Sequence, residues 1–219
     1  MLLLVLFPLF VLLLFFLSRQ LSKSLSQVFF SLTKSHKATI TLLALFFLPG
    51  VVVHELSHLL SANLLFVRTG LVEFFPQVEG NTVKLGSVAV EKTDPLRRFI
   101  IGSAPLLVGS FFLSLCFWYL KPFSTPISWS WVLFAYILFE IGNTMFSSKK
   151  DMEGGGFLLA IVFFIVAVFV PFLRQKLLLF LLSSPSQQFF MQMNKMLLLL
   201  ITIDLFFYIL AKILLYKRH

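Results

Sequence analysis

The chain is short of charge and almost free of cysteine. Asp, Glu, Lys and Arg make up 12% of its 219 residues, about half their share in soluble domains. So sparse a polar complement cannot coat a water-soluble fold. The single cysteine, Cys116, excludes an internal disulfide and leaves the redox compartment unreadable; within an apolar run it reads as a small buried hydrophobe. Acid is scarcer than base, with 9 Asp and Glu against 18 Lys and Arg and a net charge of +9. No basic run is interleaved with exposed aromatics, however, so no nucleic acid partner is expected, and anionic lipid headgroups are the simpler match. Leu2 to Leu17 lacks basic residues ahead of it and a small-residue cleavage site behind it, and is expected to be a retained span rather than a cleaved signal.

What the sequence has is apolar surface: 59% hydrophobic residues, 29 Phe and a mean hydropathy of +0.98. A bilayer core takes about 20 apolar residues per helix. Six segments approach that length, at residues 1–18, 38–62, 98–120, 127–147, 155–173 and 189–215. The fold expected is an all-α membrane protein of about six transmembrane helices, a single multi-pass domain over residues 1–219 with its core at 38–156. In Ser18 to Lys37, Leu21, Leu25, Val28 and Phe29 fall at helical spacing among Arg19, Lys23 and Lys34. That pattern predicts a helix lying in the interface, and residues 174–188 read as a second surface segment. Residues 70–94 depart from the Leu-rich pattern and predict a β-hairpin, Leu71 to Val78 against Thr82 to Glu91, turning at Gly80 and Asn81. Basic residues divide too evenly between the two sides to set an orientation.

The second expected span carries chemistry. Val53-His54-Glu55-Leu56-Ser57-His58-Leu59 is an H-E-x-x-H pattern set among apolar residues. On a helix His54 and His58 lie one turn apart on one side, spaced for two imidazole nitrogens to meet one Zn²⁺. Glu55, offset by about 100°, is placed to act as general base without ligating the metal. A catalytic zinc also wants a third protein ligand. The fourth expected span ends in Glu140, Asn143, Ser147 and Asp151, which would share one helical face, with Glu153 just beyond; Asp204 is a further acid within the last apolar run. Gly154, Gly155 and Gly156 lack the Lys and the preceding strand of a phosphate loop and read as a flexible connection.

His54, Glu55 and His58, a following hairpin, then Gly102-Ser-Ala-Pro105-Leu, then Asn143 eight residues before Asp151 together resemble the site-2 protease family of intramembrane zinc metalloproteases, over about residues 38–156. In that family an N-x-x-P-x-x-x-x-D-G motif supplies the third ligand. The resemblance therefore implies Asp151 as that ligand, Asn143 as a residue that holds the substrate strand, and the hairpin as a membrane-associated element that guides substrate. The pattern departs from the family where Phe146 stands for the motif Pro and Met152 for the motif Gly.

The function expected is hydrolysis of peptide bonds in or near transmembrane segments of membrane proteins, with Zn²⁺ as cofactor and the bilayer as setting. Two alternatives stay open: a membrane metalloprotease of another type, acting on prenylated or soluble peptides with Glu153 as third ligand, and a non-catalytic transporter or inactive relative. Substrate identity and oligomeric state are not legible.

Overall fold

The computed structural model describes residues 2–74, 76–79, 82–84, 86–120, 129–148, 151, 174–176 and 178–216. The elements with full bounds run in the order α1 (Leu2–Thr33), α2 (His36–Phe46), α3 (Leu48–Leu64), β1 (Thr69–Glu73), β2 (Gln77–Glu79), β3 (Thr82–Lys84), β4 (Ser87–Val90), α4 (Pro95–Leu120), α5 (Trp129–Thr144) and α6 (Ser184–Tyr216). The chain is a membrane protein by this count. Among the described residues α1, α4 and α6 are long and apolar enough to cross a bilayer, or four spans if the α2–α3 pair counts as one, and α5 is a shorter apolar helix.

The expected six spans are not supported. The span at 155–173 lies outside the described residues. Phe139 of α5 stacks near Phe207 of α6, while Asn143 reaches Asp204, so residue numbers rise along one helix as they fall along the other.

The expected interfacial helix at Ser18 to Lys37 is also corrected. Residues 2–33 form one continuous helix, about 48 Å long at 1.5 Å per residue. The apolar stripe of that segment is turned inward: Leu21 is fully buried, in a cluster with Phe47, Val51 and Phe139 and with Leu25 and Phe207 at its margin. Protein neighbours cover it.

The second expected span is interrupted, for α2 and α3 meet at a 71° bend, the geometry of a broken span or of a re-entrant pair. Pro49 sits in the first turn of α3. A proline there has no N–H to give and disfavours helical geometry in the residue before it, so the helix must restart. The bend tilts α3 across the bundle, where it packs on α4 and α5.

The strands of the hairpin pair as the alternation predicts, in two stretches, while the expected turn at Gly80 and Asn81 lies outside the described residues. β1 pairs antiparallel with β4, Val72 opposite Val88 and Glu73 opposite Ser87, and β2 pairs with β3, Val78 opposite Val83. An irregularity in the β1–β4 register falls between Thr69 and Val72. The core lies where α1, α4, α5 and α6 meet, around Leu14, Leu113, Leu138, Met196, Leu197 and Leu200, all nearly or fully buried.

Candidate metal centre

α3 places His54 and His58 one turn apart, and their Nε2 atoms face each other at 3.2 Å. The carboxylate of Asp151, from the segment after α5, closes the third side, its oxygens 3.7 Å from His54 Nε2 and 3.6 Å from His58 Nε2. All three ligand atoms lie within 4.8 Å of one another. Ligands about 2.0–2.1 Å from a tetrahedral zinc stand about 3.3 Å apart, so this set fits such an ion with only small adjustments.

The other ring nitrogens set the tautomers. His54 Nδ1 lies 2.6 Å from the carbonyl oxygen of Thr144, and His58 Nδ1 lies 2.8 Å from that of Ile101. A carbonyl oxygen only accepts, so each Nδ1 must carry the hydrogen, and in a neutral ring each Nε2 is then a bare lone pair. Two lone pairs and a carboxylate converge on one small space, a donor set that repels itself until a cation sits there.

Local structure explains each support. Thr144 ends α5, where backbone carbonyls lack helical partners, and one of them accepts the hydrogen bond from His54 Nδ1. The Thr144 hydroxyl in turn donates to the carbonyl of Glu140 at 2.8 Å. Gly50 lets α3 come this close to α5, since a Cβ on Gly50 would lie 2.6 Å from the Glu140 carbonyl oxygen and collide with the Thr144 side chain. Asp151 is fixed by a reciprocal turn with Ser148, whose N–H donates to Asp151 Oδ2 at 2.6 Å and whose hydroxyl accepts from the Asp151 N–H at 3.2 Å. Ser147 donates to the Gly102 carbonyl at 2.6 Å, tying the same segment to α4. Gly102 must lack a side chain, because a Cβ there would collide with the Asp151 carbonyl oxygen. Burial works against charge on Asp151, and the Ser148 N–H donated to Oδ2 favours it.

Glu55 is buried on the neighbouring face of α3, beside the sheet. A Cβ on Gly86, just ahead of β4, would lie 2.7 Å from Val51 Cγ1 and 3.0 Å from Glu55 Cγ. The hairpin thus meets the bundle at the metal centre, at the same end as Asp151.

The other expected site residues separate. α5 ends at Thr144, so Ser147 and Asp151 do not continue a helical stripe with Glu140 and Asn143. Asn143 donates through Nδ2 to Asp204 Oδ1 at 2.8 Å and to the Phe139 carbonyl at 2.9 Å. Glu140 and Asp204 are fully buried but do not join the His54, His58 and Asp151 group, and Glu153 lies outside the described residues. Sequence reasoning missed the supporting Thr144, Gly86 and the carbonyls of α4; the one legible signal was Pro105, four residues after Ile101.

Comparison with protein-family models, with curated proteins and with solved structures finds no match to this chain.

Proposed function

We propose that the chain is an intramembrane zinc metalloendopeptidase, a divergent relative of the site-2 proteases, cleaving membrane-protein substrates in or next to their transmembrane segments. The observation that carries the reading is the convergence of two Nε2 lone pairs and the Asp151 carboxylate at ligand spacing beside a buried glutamate. Zinc bound there would polarise the scissile carbonyl and acidify the attacking water. His54, His58 and Asp151 would hold the metal, leaving one position open for chemistry.

Glu55, one residue from His54, takes the proton from the attacking water on its carboxylate and passes it to the leaving amine. A transmembrane substrate must unwind to offer a carbonyl, and the free edges of the short β1–β4 sheet, which approaches Glu55 at Gly86, suit pairing with the unwound strand.

The deciding experiment is Glu55→Gln in the purified full chain, tested on a membrane-embedded substrate in liposomes. An amide cannot accept the proton, so cleavage should fall on the order of 10² to 10⁴-fold while zinc stays bound. Undiminished cleavage would refute the mechanism. Products cut in a soluble tail rather than in a span would favour the alternative of a metalloprotease for soluble peptides.

A further inference from the structure

Helix α4 passes through the bundle with a proline inside it, Pro105, and that proline is fully buried. Proline has no N–H, so the carbonyl four residues earlier loses its helical partner, and the ring pushes that carbonyl outward. The carbonyl is that of Ile101. In a bilayer an unpaired carbonyl is costly, and a neighbouring helix usually restores its bond. Here the partner is His58, whose Nδ1 lies 2.8 Å from the Ile101 oxygen. The next carbonyl in the same distorted turn, that of Gly102, accepts from the Ser147 hydroxyl at 2.6 Å on the segment that carries Asp151.

The geometry points to Pro105 as the positioning residue of the metal centre: by removing one helical donor it frees the Ile101 carbonyl to hold the His58 ring as its Nδ1–H tautomer, with Nε2 turned to the metal, while the same turn anchors the Asp151 segment. The inference rests on reading His54, His58 and Asp151 as a metal site. Sequence position alone would assign a helix proline only a kink. The added content is chemical: an alanine at 105 would return an N–H that competes with His58 for the same oxygen. A ring released from that oxygen samples both tautomers, and the Nε2–H form cannot ligate through Nε2.

The test uses the full chain in lipid nanodiscs, metal-free, with ¹⁵N-labelled histidine. The chain has 4 His, and the His58→Gln variant assigns the His58 signals. Wild type should show His58 as a single Nδ1–H tautomer. Pro105→Ala should show mixed tautomers and, by chelator competition with Zn²⁺ alone, an affinity lower by about 10- to 100-fold, the usual effect of losing a group that orients a ligand. Pro8→Ala, which also returns a donor to a helix but in α1, should change neither. An Nε2–H tautomer in wild type overturns the proposal, as does a Pro105→Ala protein that keeps either the wild-type tautomer or the wild-type affinity. If Pro105→Ala does not fold, the wild-type tautomer decides. Absence of zinc binding in wild type would refute the metal-centre reading, and the metal-free tautomer comparison would still judge the role of Pro105.

Discussion

Two groups of polar side chains lie inside one apolar bundle and differ in how their bonds are met. In the first, His54, His58 and Asp151, every atom that points away from the centre has a partner: Thr144, Ile101 and Ser148 take or give the outward bonds. Only the inward lone pairs are open, and they converge. In the second, Glu140, Asn143 and Asp204, the open atoms are scattered. Among the described residues, Asn143 Oδ1 and Asp204 Oδ2 are buried without a hydrogen-bond partner, and the buried Glu140 carboxylate has only the backbone N–H of Gly50 beside it. Buried polar groups are normally paired, so both groups are expensive. Only the first spends that expense on a shape that a cation fits. Convergence of open lone pairs, not the mere burial of acids, separates a ligand site from polar packing.

The largest effect expected from this contrast is on metal retention. Asp151→Ala should lose zinc by more than the roughly 10- to 100-fold typical of removing a supporting group, whereas Glu140→Ala and Asp204→Ala should retain full stoichiometry. Zinc content of the three purified proteins, side by side, measures it. Loss of zinc in Asp204→Ala with retention in Asp151→Ala would reverse the assignment.

The histidine pair was legible because a helix brings residues four apart onto one side, and the paired strands because apolar and polar residues alternate there. Asp151 came from a family spacing rather than from geometry, and the stripe argument that accompanied it assumed a helix that stops at Thr144. Helix ends depend on which neighbours donate to the last carbonyls, and His54 lies 90 residues away from Thr144. The interfacial reading of Ser18 to Lys37 failed for a related reason. An apolar stripe flanked by basic residues has the same periodicity whether lipid or protein covers it, and only the packing of Leu21 against Phe47 and Phe139 decides. Hydropathy also hid the break at Pro49, where the apolar run continues through a bend that backbone chemistry imposes.

A smaller effect should follow from Gly102. Alanine there would push against the Asp151 carbonyl oxygen, a backbone atom that cannot rotate away. The Asp151 segment must shift, which should lower zinc affinity by about 10- to 100-fold and stability by about 1–3 kcal/mol, as overpacking does. Alanine at Gly109 is the matched control, because a Cβ there meets the Met145 side chain at 2.7 Å. It should cost stability without touching zinc. Equal zinc affinity in both variants would show that Asp151 is not held by its fit against α4.

The smallest effect sharpens the contrast from the other side. Asn143 gives Asp204 its only hydrogen bond among the described residues, Nδ2 to Oδ1 at 2.8 Å, between two helices. Asn143→Ala would strand a second Asp204 oxygen in the core and should cost about 1–3 kcal/mol, the penalty for an unsatisfied buried group. Removing both partners, Asn143→Ala with Asp204→Ala, should cost less than the two single changes added together, because no orphan remains. Thermal or denaturant unfolding in detergent micelles measures the cycle, and zinc content should stay at the wild-type level in all three proteins. The family resemblance gives Asn143 a different task, holding the substrate strand, which would require its amide to leave Asp204. The two roles predict opposite patterns: a structural tether gives coupled losses of stability with KM unchanged in a cleavage assay, whereas a substrate contact gives a raised KM in Asn143→Ala and no coupling to Asp204. Additive stability losses would therefore break the tether and return Asn143 to the substrate side of the site.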